Sequence, residues 1–192
     1  MRKQLKAAIG SCGFECQGEF DARVLTVLPE VRAMCAEDRC HEYNKNWSCP
    51  PACGTLEQFA ELFTHYSCGI AFQTVAQLED SFDIETMFEA KKLHETRFYD
   101  LVRKTGALNA DLLLLSAGSC KLCKVCGFPD EACSFPELMR PSMESTGILV
   151  NDVCAAASVP YNHGADTISY TSCVLFNEEE PAWDKVVQVC AQ

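Results

Sequence analysis

The sequence predicts a mixed α/β (α+β) fold: a central sheet flanked by helices, with two cysteine-rich metal-binding loops. Three observations point to it. Short β-branched or aliphatic runs alternate with stretches that carry apolar residues at helical spacing. One run, ADLLLLSA at 110–117, is apolar enough for burial on both faces, as in the middle of a helix-covered sheet. Two segments, at about 35–54 and 118–142, lack apolar periodicity but are dense in Cys, Gly and Pro, so something other than hydrophobic packing must order them. Residues 1–192 read as one domain carrying these two loops.

In chain order, Val24–Leu28 (VLTVL) reads as a strand, closed by Pro29, which opens a helix leading to Met34 and Cys35. Thr55 and Gln58 fit a capping box, followed by the apolar stripe Leu56, Phe59, Ala60, Phe63 and Tyr66. Gly69–Ala76 (GIAFQTVA) reads as a strand and Asp83–Arg103 as a long helix with Ile84, Met87, Phe88, Phe98, Leu101 and Val102 on one side. His94 lies on that stripe and reads as a packed residue, not a ligand. Ser142–Cys154 is expected to be helical, capped by Ser142, with Glu144 in its first turn and Gly147 as its weak point. Thr167–Phe176 reads as a strand with Ile168, Tyr170, Val174 and Phe176 on one face and Cys173 on the other. A short helix is expected through Trp183, Val186, Val187 and Val189.

Composition narrows the function classes. Hydrophobic residues make up 48% of the chain, enough to build a core. No run approaches the ~20 apolar residues of a membrane helix. The opening MRKQLKAAIG lacks the apolar centre of a signal peptide, so a cytoplasmic address is expected. A net charge of −11 argues against a nucleic-acid partner and suits a redox protein partner with a basic surface. In a reducing compartment, 14 cysteines point to metal or redox use more than to a disulfide scaffold. No nucleophile elbow, phosphate loop or dinucleotide fingerprint is present, and the scattered acidic residues define no acid/base pair.

Two cysteine patterns carry the chemistry. Cys120-x2-Cys123-x2-Cys126-x6-Cys133 lets one tight loop wrap three thiolates around a compact centre, with a fourth arriving from farther on. It resembles the ferredoxin run, with a longer last gap and with Pro136 displaced from the final cysteine. Zinc sites more often use Cys pairs separated by a longer insert, so this pattern favours a 4Fe–4S cluster. Cys35-x4-Cys40-x8-Cys49-Pro-Pro-Ala-Cys53 suits a second cluster or a zinc held by four thiolates. Partition between the two sets stays open: Cys133 could serve the centre built on Cys35, Cys40 and Cys49, or a three-thiolate centre could leave one iron open to a substrate. Cys12 and Cys16 fit a redox pair or extra ligands; Cys68, Cys154 and Cys173 fit small buried hydrophobes, and Cys190 has no assigned role.

The residues Met34-Cys35, Cys40, Tyr43 through Pro51 (YNKNWSCPP) and Gly54-Thr55 form one signature. Leu115 through Cys133, then Phe135-Pro136-Glu137 and Pro141-Ser142-Met143-Glu144, form a second, and Tyr170 through Phe176 (YTSCVLF) a third. Together, over roughly residues 10 to 176, they resemble a prokaryotic family known as predicted metal-binding proteins, a domain of unknown function. The resemblance implies metal ligation by Cys35, Cys40, Cys49 and the second set, without naming the metal. Its pattern is weaker at Cys53, which keeps the open-iron arrangement in view. Ser134 stands where the family's Cys-Arg-Phe-Pro stretch would place an arginine, so no cation next to Cys133 is implied.

The expected function is therefore an iron–sulfur protein passing electrons. Two alternatives accompany it: a cluster-dependent enzyme with an open iron, and a zinc-stabilised binding module.

Overall fold

The computed structural model describes residues 1–108 and 110–178, and the backbone of 189–190. The fold is mixed α+β. Helices α1 (Arg2–Ser11), α2 (Pro29–Ala36), α3 (Leu56–Phe63), α4 (Ile84–Gly106) and α5 (Val150–Ala156) surround an antiparallel sheet. The strands are β1 (Cys16–Asp21), β2 (Cys68–Gln77), β3 (Leu113–Leu115), β4 (Thr167–Phe176) and the two-residue β5 (Val189–Cys190), in the order β3-β4-β2-β1-β5.

The long central pair explains the architecture. β2 and β4 run antiparallel over ten residues, from Cys68↔Phe176 to Gln77↔Thr167. Alternate side chains therefore face opposite layers. Ile70, Phe72, Val174 and Phe176 meet Leu5 and Ile9 of α1 and Phe98, Leu101 and Val102 of α4. Ala71, Cys173 and Leu175 meet Phe59 and Phe63 of α3 and Val153 and Cys154 of α5. The sheet is thus covered on both faces, and the predicted facing of Cys173 against Val174 and Phe176 holds.

Local signals explain several boundaries. Pro29 occupies the first turn of α2, where its missing N–H has no helical partner to lose. The Thr55–Gln58 capping box forms reciprocally, and Asp83 caps α4 by accepting from the Thr86 N–H. His94 is buried between Thr74 and Ser172 hydroxyls, at 3.0 and 2.8 Å from its two ring nitrogens. It is a packed histidine, as the apolar stripe implied.

Four segments depart from the sequence expectation. Val24–Leu28 is not a strand: a 3-10 turn over Ala22–Val24 leads into chain outside the sheet, where the Leu28 N–H donates to Gly147 O at 2.8 Å and Val24 is exposed. The strand lies earlier, in Cys16–Asp21, where only Cys16, Gly18 and Phe20 face inward, a pattern too weak to stand out. The 110–117 run forms only the short β3, which among the described residues pairs with β4 alone, at the sheet edge and not in its middle. The expected helix over 142–154 is split. Gly147 adopts φ +89°, ending a 3-10 turn at Glu144–Thr146 before α5 begins. In the tail, Val189 belongs to β5, paired with β1, and the remainder of the expected helix lies outside the described residues. Helix α1 was not foreseen; Leu5 and Ile9, its only buried residues, give too short a stripe to announce it.

Candidate metal centres

Both cysteine loops start from regular elements. The first leaves α2 at Cys35 and returns at Thr55, the cap of α3. Its backbone is fixed by polar groups in place of a core. Asp38 accepts from the Tyr43 N–H, Pro50 O accepts from the Asn44 N–H at 2.8 Å, and Asn46 Oδ1 accepts from both the N–H and hydroxyl of Ser48. Asp38, His41 and Asn44 all have positive φ, a density of left-handed residues that marks tight turning.

The second loop leaves β3 through Gly118 at φ +76°. Its neck is closed: the Ser116 N–H donates to Pro141 O at 2.9 Å, and the Met143 N–H donates to Ser116 O at 3.2 Å. This clasp fixes the neck of the loop, and Cys120, Leu122 and Leu138 pack against the core above it.

The two loops dock on each other. The Cys120 N–H donates to Ser48 Oγ at 2.9 Å. The Trp47 indole N–H donates to Glu131 O at 3.1 Å, and its ring meets Phe128 edge-on at 4.9 Å between centroids. Lys121 pairs with Glu42. Tyr43 through Cys49 therefore act as a platform for the second loop.

This docking gathers the thiols on two cavities. Cys120, Cys123, Cys126 and Cys133 all line one cavity of about 270 Å³, together with Lys121, Lys124 and residues 45–48 of the platform. Cys35, Cys40 and Cys49 line another, of about 420 Å³. Cys53 does not line it: its half-buried thiol donates to Ser145 O at 3.7 Å and packs beside the α3–α5 core. The thiols are ranged around the cavities and not drawn to a point. Among the described residues, no three His, Cys, Asp or Glu side chains converge closely enough to hold a single ion.

Burial acts on the first set. It pushes the Cys49 thiol up to about 11, against hydrogen bonds from Ser48 and Asn46 that favour the thiolate. Cys35 is raised chiefly by burial and then by the nearby Glu144 charge; Cys53 is raised by burial. These thiols hold their protons at neutral pH unless a cation replaces them. An all-sulfur donor set suits iron–sulfur clusters or zinc, and disfavours hard cations such as magnesium or calcium.

The remaining cysteines separate by surroundings. Cys68, Cys154 and Cys173 are buried free thiols. Cys16 is disulfide-bonded whereas Cys12 is a free thiol, so the two are not joined to each other. No helix among the described residues is long and apolar enough to cross a membrane.

Sequence reasoning passed over three groups beside these centres. Glu144 read only as a first-turn residue, although it lies in the Pro141–Glu144 signature. It borders the Cys35 cavity, as does Lys91. His163 lies in a segment without regular structure and carried no sequence signal.

The profile of a family described as "Predicted metal-binding protein (DUF2284)" matches residues 18–176. No curated protein and no solved structure matches the chain.

Proposed function

Since the chain belongs to this family of predicted metal-binding proteins, we propose that it carries iron–sulfur clusters at both cysteine sets and works in redox or cluster-dependent chemistry. One observation carries the reading: seven of the eight candidate thiols line two adjoining cavities, four on one and three on the other. Sulfurs spread around a cavity suit a multi-atom cluster better than a lone zinc, whose Zn–S bonds of ~2.3 Å require thiolates drawn tightly together.

Cys120, Cys123, Cys126 and Cys133 would hold a cluster with all four irons ligated. Cys35, Cys40 and Cys49 would hold a second through three thiolates, because Cys53 faces the core. Bound there, a cluster supplies one-electron transfer and, at an unligated iron, Lewis acidity toward a small molecule. The chain contributes the remainder. Lys121 and Lys124 offset thiolate charge at the second set, and Ser48 anchors the Cys120 backbone. Cys49 is the buried member of the first set, whereas Cys40 is exposed. The apolar volume beside that set favours the cluster-dependent enzyme over a pure electron carrier, since electron transfer alone needs no cavity there. The charge of −11 suits a basic electron-donating partner, and the cytoplasm is the proposed address.

The test is visible spectroscopy on anaerobically purified protein. Broad brown absorption that dithionite bleaches is the expected result, with the Cys123→Ser and Cys40→Ser variants each losing about half of it. A colourless protein containing zinc without sulfide would replace this reading with a zinc-ordered binding module.

A further inference from the structure

The cavity that holds Cys35, Cys40 and Cys49 runs into a larger one of about 650 Å³, and Lys91, Gly118, Glu144, Val150 and Tyr161 line both. The larger cavity lies between the start of α4 and β4, and its volume falls in the ~300–1,000 Å³ range of small-ligand sites. One wall is apolar, from Met87, Phe88 and Ile168.

The polar walls carry three groups with unused hydrogen-bonding capacity. Glu144 Oε2 is fully buried and has no hydrogen-bond partner among the described residues. Such atoms are rare in folded proteins, because water has been removed and nothing replaces it. Lys91 makes no hydrogen bond or ion pair with the described residues, although its charge is felt by Glu95 one turn along the helix. The third group is His163. Its Nε2 lies 3.0 Å from Gln73 Oε1. The Gln73 amide is fixed by donating from Nε2 to Pro160 O at 2.8 Å and to Thr171 Oγ1 at 3.1 Å, so its oxygen must face His163. His163 therefore carries its proton on Nε2, and Nδ1 is left as an acceptor with no partner among the described residues, on a residue that lines the cavity.

We propose that this joint cleft binds a small hydroxycarboxylic acid, with its carboxylate on Lys91 and its hydroxyl donating to His163 Nδ1. A cationic ligand would meet Lys91, and a purely apolar one would leave His163 Nδ1 without a donor. A dianionic phosphate would face the Glu144 carboxyl with only one lysine to balance it. The inference rests on the cluster reading for any chemistry done on the ligand; binding itself uses residues outside both sets of thiols.

The test is titration calorimetry of the full, anaerobically purified chain with three probes: mandelate, phenylacetate (the same acid without the hydroxyl) and benzylamine. Mandelate is expected to bind roughly tenfold more tightly than phenylacetate, in line with one added hydrogen bond, and benzylamine not at all. Lys91→Met should weaken both acids by about tenfold or more, with Lys91→Arg restoring them. His163→Phe should erase the preference for mandelate while leaving phenylacetate unchanged. Iron and sulfide are measured on every sample, and unchanged thermal midpoints show that each variant is folded. Equal affinity for the two acids, preference for benzylamine, or an unaffected Lys91→Met variant overturns the inference whatever the metal content. Mandelate binding by a protein without iron or sulfide would support the cleft and overturn the cluster reading alone.

Discussion

Cys49 and Cys53 stand one helical turn apart in sequence yet face different surroundings, and the difference separates a proposed ligand from a residue packed on the core. Cys49 borders the cavity with Cys35 and Cys40, whereas Cys53 points to Ser145 O and the α3–α5 layer. Cys49→Ser is therefore expected to remove the metal of the first centre. Cys53→Ala is expected to keep it and to lower stability by about 0.5–1.5 kcal/mol through the lost hydrogen bond, read by metal analysis alongside urea unfolding. His94 supplies a second residue-scale prediction. Burial, with the Arg97 charge behind it, holds its folded-state value down to about 3 from an ordinary 6.5. The unfolded chain thus takes up a proton below 6.5 that the folded one refuses. Stability contributed by the neutral ring is complete above pH 6.5 and is lost as pH falls from there toward 3, at up to about 1.4 kcal/mol per unit. Denaturant melts at pH 7 and pH 5 should show the loss, and His94→Gln should flatten it.

At the scale of elements, the fold depends on close approach of strand to helix. Gly18 in β1 sits under the end of α5, where a Cβ would lie 2.1 Å from Ala157 O. Backbone cannot yield as a side chain can, so Gly18→Ala should cost about 1–3 kcal/mol in unfolding free energy. The platform of the first loop makes a parallel prediction. Trp47→Ala removes both the hydrogen bond to Glu131 O and the contact with Phe128, so the second centre should lose metal to a chelator faster while the first is little affected. Sequence legibility follows the same physics. The capping box at Thr55, Pro29 in α2 and the long stripe of α4 were readable because each signal is local. The β1 strand and the edge position of β3 were not, because pairing between residues about 47 to 62 apart decides them and CQGEFD announces little by itself. The cysteine spacings identified both loops. Which cysteine turns inward at 53, and how Glu144, Lys91 and His163 come to share a cleft, depends on tertiary packing that no spacing encodes.

In the whole molecule, two regimes of order coexist. The sheet and its helices are held by apolar layers on both faces, while the loops at 35–54 and 118–142 touch those layers only through residues such as Cys53, Leu122 and Leu138 and otherwise rely on hydrogen bonds, a backbone clasp and the proposed metal–sulfur bonds. Removing metal should therefore loosen the loops without melting the core. Limited proteolysis of chelator-treated protein is expected to cut first near residues 36–48 and 121–134, with the sheet strands remaining protected. Iron, acid-labile sulfide and zinc, quantified in one anaerobic preparation, decide whether the thiols hold clusters. Iron and sulfide are expected in nearly equal amounts, about eight of each per chain when both centres are full 4Fe–4S clusters, with little zinc. Zinc at one or two per chain with no sulfide, or a chain free of both metals with its loops intact, would rule the clusters out.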